Sequence, residues 1–157
     1  MSGGPVFFNV GEFVVTAGRL FPVNLTAEYP ESLGYEASLG ADSIWRLFAR
    51  MPLVLPTGTA KLALVCQANA TTGVAKLNPK WKSYGDLEVP AAASLIAEGV
   101  QTITFATTAY RLTRVDVVMD ADTVVAGELI MLDLVGETTG WTLAAVLGVN
   151  RPYMFWE

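Results

Sequence analysis

The sequence contains no histidine and a single cysteine. The first absence removes the side chain most used for proton transfer near neutral pH, and with it the imidazole partner of serine and cysteine nucleophiles. Acid–base chemistry is left to carboxylates, lysine and tyrosine. Histidine-ligated zinc and iron are excluded too, and one thiol builds neither a thiolate cage nor a disulfide within the chain. Cys66, set in "LALVCQA", reads as a small buried hydrophobe, compatible with folding in a reducing cytoplasm. No metal and no other cofactor is expected.

Charge is scarce as well. Charged residues are 16% of the chain, and 10 Lys and Arg stand against 15 Asp and Glu, a net charge of −5. Binding phosphate backbones relies on positive surplus, so a general nucleic-acid binder is not expected. Long hydrophobic runs are missing. The longest uncharged stretch, Leu62 to Ala75, is interrupted by Gln67, Asn69, Thr71, Thr72 and Gly73, and is too short and polar to span a bilayer as a helix. The opening "MSGGPVFFNVGEF" lacks the basic and apolar regions of a secretion signal and is read as an unprocessed start.

Phosphate-binding motifs are also lacking. "GVAKLNPK" and "PTGTAK" do not complete the pattern that cradles phosphates, and no dinucleotide fingerprint follows a strand. Asp120 and Asp122 in "MDADTVVAGE", with Glu128, are the one carboxylate group worth weighing for calcium, but the spacing of a calcium loop is absent and the two Asp read as turn formers. The sequons at Asn24 and Asn69 are read as chance. The chain is expected not to be an enzyme. The one catalytic route left open is carboxylate-based glycoside cleavage, which needs two carboxyl groups facing across a cleft.

What is present is apolar. Hydrophobic residues are 52% of 157, above the roughly 45–50% of an average domain, so some apolar surface is expected to meet a partner. Turn residues recur at short intervals from Pro30 to Gly140, with β-branched runs between them. This predicts one all-β domain over residues 1–157, an antiparallel β-sandwich of jelly-roll-like character with at most one or two short helices. Alternation places Trp45, Leu47, Ala49 and Met51 on one face of "IWRLFARM", and Leu62, Leu64, Cys66 and Ala68 inward in the next run, with Lys61 and Gln67 outward. "ELIMLDLV" is apolar on both faces, which suits a covered sheet or a subunit contact. Residues 89–99 form the best helix candidate, residues 141–149 fit a short helix or a strand, and residues 1–30 fit first strands or an extended arm on a neighbour.

One stretch, "KLNPKWKSY", sets lysines around Trp81 and Tyr84. Pro79 cannot donate to a ladder, which puts the segment at a sheet edge or strand end. Lys80, Trp81, Lys82 and Tyr84 are therefore candidate partner- or glycan-binding residues, with Trp81 as a stacking platform. The alternative is that Trp81 packs inward and the lysines guard an edge. Phe7, Phe8, Phe13, Met131, Leu132, Tyr153, Phe155 and Trp156 are the candidate contacts for oligomer or shell assembly.

A tryptophan-led strand, the "MPLVLPTGT" turn, "KLALVCQANATTG", the Asn-Pro-Lys-Trp stretch, "DADTVVAGELIMLDLV" and the near-terminal "TTGWTL" together resemble jelly-roll virion proteins of tailed bacteriophages. The resemblance covers roughly residues 43–157. It implies a capsid decoration or cement protein, typically trimeric, on the outer capsid surface of a virion and made in the host cytoplasm. The partners it implies are further copies of the chain and the major capsid protein, with no nucleic acid and no membrane. Carbohydrate-binding jelly rolls have the same kind of strand pattern, and a module for host-surface or extracellular glycans is the alternative.

Overall fold

The computed structural model describes residues 4–15, 35–145 and 147–157, with residues 10–15 and 35–38 described by their backbone alone. Twelve strands occur among the described residues: β1 (Val6–Phe7), β2 (Asn9–Val15), β3 (Tyr35–Leu39), β4 (Ser43–Arg50), β5 (Ala60–Ala68), β6 (Val74–Tyr84), β7 (Ile96–Ala97), β8 (Gln101–Thr104), β9 (Thr113–Val118), β10 (Leu129–Gly136), β11 (Leu147–Asn150) and β12 (Tyr153–Trp156). They form two antiparallel sheets. The first runs β1-β12-β5-β11-β3 with β9 on the other side of β5, and the second runs β2-β4-β10-β6-β7 with β8 also on β6. The all-β, jelly-roll-like sandwich expected from turn spacing is what forms.

The core lies between the sheets and comes from the predicted alternation. Trp45, Leu47, Ala49 and Met51 of the second sheet meet Leu62, Leu64, Cys66 and Ala68 of the first, all at 0–2% exposure. Each large side chain buried this way contributes about 1.5–3 kcal/mol of hydrophobic free energy. The two-sided apolar run becomes β10, paired along its length with β4 and β6. Leu132 is therefore core, and Met131, on the other face, is covered beside its cross-strand neighbours Phe48 and Lys82. Their place in an oligomer contact is corrected accordingly: a central strand is apolar on both faces because its own chain buries both.

Pro79 lies mid-strand in β6 rather than at a sheet edge, with β10 on one side and β8 and β7 sharing the other. In an antiparallel strand one residue's N–H and C=O point to the same neighbour. The Pro79 carbonyl accepts the Glu98 N–H at 2.9 Å, between the stretches paired to β8 and β7. The missing proline donor thus faces Glu98 at the break between two short partners, where the ladder is already interrupted.

Residues 89–99 do not form the expected helix. A single 3-10 turn, Ala92–Ser94, precedes β7, and the Tyr84 hydroxyl, 2.6 Å from Ser94 Oγ and 3.1 Å from the Ala91 carbonyl, holds that turn against β6. Residues 147–149 of the undecided stretch belong to strand β11. Gln67 has the expected outward parity but is buried, because the segment at Tyr110 covers it there and the Tyr110 carbonyl accepts its amide N–H at 2.6 Å. Residues 4–15 belong to the sheets as β1 and β2, not to a free arm. The rest of the segment read as an arm lies outside the described residues. No helix among the described residues is long and apolar enough to cross a membrane.

Candidate functional site

Ring-bearing strands occur on both sheets, and register decides where each ring goes. In β6, Trp81 is opposite Leu132 on the inner face and has 0% exposure. Its Nε1 donates to Glu98 Oε1 at 2.6 Å, and the same oxygen accepts the Ala121 N–H at 2.8 Å. Tyr84 points to the outer face but lies under the 91–94 turn and is 4% exposed. Neither ring is available to stack on a sugar, so the platform read from "KLNPKWKSY" is corrected. Lys80 and Lys82 do face outward, half-buried, and the Lys82 ammonium stands 5.7 Å over the Tyr84 ring.

Beside these lysines, Arg46 donates two hydrogen bonds to the Asp133 carboxylate, from Nε at 2.8 Å and from Nη2 at 2.9 Å. Fork-to-fork geometry makes this the strong form of an ion pair. It neutralises the one carboxylate at the outward positions of β4, β10 and β6, where Arg46, Arg50, Lys76, Lys80 and Lys82 also project.

The outer face of the first sheet is different in kind. Phe7 on β1 pairs with Tyr153 on β12, and Phe155 lies two residues further on the same side. Ring centroids are 5.3 Å apart for Phe7 and Tyr153 and 6.1 Å for Tyr153 and Phe155, both tilted. Arg114 of β9 lies over them, 5.7 Å from the Tyr153 ring and 5.0 Å from the Phe155 ring. Its Nε donates to Asp116 Oδ1 at 2.6 Å, a bond that raises the guanidinium pKa and fixes the fork beside the rings. Phe7 is 49% exposed, and Tyr153 and Phe155 are half-buried. No turn among the described residues crosses these rings as the 91–94 turn crosses Tyr84.

Of the eight candidate assembly residues, the structure brings Phe7, Tyr153 and Phe155 together at the surface. Phe8 is core at 0% exposure, and Trp156 faces inward and packs on the core. Met131 and Leu132 are buried as described above, and the Phe13 side chain lies outside the described residues. Arg114 was not among the candidates. Its signal was the "RVDVV" alternation, which points it outward without saying that β9 lies one strand away from β12.

The carboxylate group near the 119–128 turn serves Ser83: Asp122 Oδ2 accepts its N–H at 3.1 Å and Glu128 Oε2 its hydroxyl at 2.7 Å. No cluster of three or more acidic, histidine or cysteine ligands suited to a metal occurs among the described residues. A shallow depression of about 380 Å³ is lined by Asn69, Ala70, Thr71, Thr72, Ala109, Thr142, Ala144 and Ala145, which offer hydroxyls and amides only. Burial pushes the Cys66 thiol up to about 12.

No family model matches the chain, and no curated protein or solved structure matches it either.

Proposed function

We propose that this is a non-enzymatic structural protein of a virion, a decoration or cement component of a tailed-phage head that grips its neighbours through the aromatic–arginine face of the first sheet. The observation that carries the reading is the grouping of Phe7, Tyr153, Phe155 and Arg114 on one sheet face that no described turn crosses. Aromatic residues and arginine are the types enriched where protein contacts are strongest, because large rigid rings bury area at little entropic cost and a guanidinium stacks as well as pairs. The resemblance of residues 43–157 to jelly-roll virion proteins supplies the setting, with the major capsid protein and further copies of the chain as partners. The glycan-binding alternative is not carried forward, since Trp81 and Tyr84 are buried.

The test is co-sedimentation of the purified chain with heads of the encoding phage that lack it. Wild type is expected to pellet with the heads, and Tyr153→Ala/Phe155→Ala to stay in the supernatant while folded by circular dichroism. Equal binding of both forms, or binding of neither, contradicts the proposal.

A further inference from the structure

We propose that copies of the chain associate head to face, with the loop end formed by residues 51–59, 85–95 and 119–128 of one copy seated on the outer face of the second sheet of the next. The inference deepens the assembly reading by naming the contact between copies, and it rests on that reading only in requiring self-association.

The three loops meet at one end of the sandwich because β4 and β6 end, and β10 begins, at the paired positions Arg50, Tyr84 and Leu129. They are tied together there. The Met51 N–H donates to the Glu128 carbonyl at 2.8 Å and the Gly127 N–H to the Pro52 carbonyl at 2.9 Å. From this end project Leu53 at 88% exposure, Val54 at 83%, Val89 at 83% and Leu87 at 103%. Single exposed apolar residues are ordinary, but four on adjoining loop tips make a patch.

Leu87 adds a second observation. It sits in the left-handed region with φ 73°, in a turn closed by the Glu88 N–H on the Gly85 carbonyl at 3.2 Å and by Glu88 Oε2 accepting the Gly85 N–H. Glycine or asparagine fits such a position with less strain. A leucine held there with its whole side chain in water gains nothing within its own chain, and strain retained without an internal reason points to a partner.

Charge selects the occupant. The three loops contain Asp86, Glu88, Asp120, Asp122 and Glu128 and no lysine or arginine, so they carry five negative charges against a whole-chain net of −5. The complementary surface is on the same molecule. Arg46, Lys76, Lys80 and Lys82, four of the chain's 10 basic residues, project from the outer face of the second sheet, while Arg50 at its end donates to the Gly127 carbonyl of the loop end at 3.0 Å. No carboxylate among the described residues pairs with Lys80 or Lys82. Between these cations Phe48 and Leu129 are half-buried, an apolar strip for the leucine and valine tips. An acidic rim around apolar tips thus matches a basic rim around an apolar strip, the pattern that sets orientation and speeds encounter. Because the two surfaces differ, the contact is heterologous, and it closes into a ring or continues as a fibre.

The test removes the charge match from each side. Asp86→Lys/Asp120→Lys takes the loop end from five negative charges to a net of one, and Lys80→Glu/Lys82→Glu turns the lysine pair of the face acidic. By light scattering at low ionic strength, wild type is expected to self-associate, and each variant alone to lose at least tenfold in association. An equal mixture is expected to regain it, since the unaltered loop end of the face variant then meets the unaltered face of the loop variant, and the regain shows that both variants are folded. Leu87→Asn, which suits the turn and removes the apolar tip, is expected to weaken association while leaving the melting temperature unchanged or higher. Three results overturn the inference: a monomeric wild type, association insensitive to either reversal, or loss without regain on mixing. The shell-binding proposal fails separately, since Tyr153→Ala/Phe155→Ala leaves this charge-dependent association intact.

Discussion

The outer faces of the two sheets carry the same residue classes, rings beside cations, arranged in opposite ways. On the second sheet, strand β6 sends Lys80 and Lys82 outward and Trp81 into the core, and the outward Tyr84 is roofed by the 91–94 turn. On the first, β12 sends Met154 inward and Tyr153 and Phe155 outward, where a two-residue neighbour leaves them open beside Arg114. Whether a ring beside a cation is a contact surface or a core side chain therefore depends on two things: its parity relative to the core, and whether a distant loop crosses the face.

The largest effect that can break this contrast is at Trp81. Trp81→Ala is expected to cost about 3–5 kcal/mol in chemical unfolding, the range for emptying a tryptophan-sized core site; a surface platform would lose almost nothing. Next is Asp133, 7% exposed at the side chain against 16% for Arg46. Asp133→Ala removes the two-pronged acceptor of a mostly buried guanidinium, and a loss of about 2–3 kcal/mol is expected, between exposed and fully buried pairs. The double change Arg46→Met/Asp133→Leu is expected to recover most of it.

The inner side of the first sheet is closed too, and Cys66 reports on it. Its thiol is raised from 9.0 to about 12 by burial. The folded state therefore holds the proton more tightly than the unfolded chain does, so this contribution is complete below pH 9 and is lost as pH rises toward 12. At pH 10 wild type is expected to have lost about 1 kcal/mol more than Cys66→Ala, each protein compared with itself at pH 7 in urea unfolding. The smallest stability effect belongs to the open rings. Tyr153→Ala is expected to change unfolding free energy by less than about 1 kcal/mol, since a partly exposed ring forfeits little burial, while abolishing co-sedimentation with heads.

Much of the sandwich was legible in the sequence because strand alternation is local. The inward set of β4 and β5 follows from a period of two, and the two-sided character of "ELIMLDLV" anticipated a covered strand. What covers it was not legible, because pairing of β10 with β4 and β6 joins residues 45 (Leu129 and Tyr84) to 91 (Val135 and Ile44) positions apart. The same limit hid the fate of Trp81 and Tyr84, which depends on Glu98 and on the turn at Ala92–Ser94. Pro79 misled for a related reason: its rule concerns a lost donor, and here two short partners leave a break at that spot. The surface cluster was half legible, with Tyr153 and Phe155 alternating outward in "RPYMFWE", whereas their meeting with Phe7 and Arg114 is a matter of strand order.

In the proposed assembly the first sheet's rings make the contact and the second sheet's do not. Hydroxyl-radical footprinting of the chain, free and bound to phage heads, reads every aromatic side chain at once. The predicted result is oxidation of Phe7, Tyr153 and Phe155 in the free protein and their protection on the heads, with Trp81 unreactive in both states. Reactive Trp81 in the free protein, or heads that leave Phe7, Tyr153 and Phe155 as reactive as before, would contradict it.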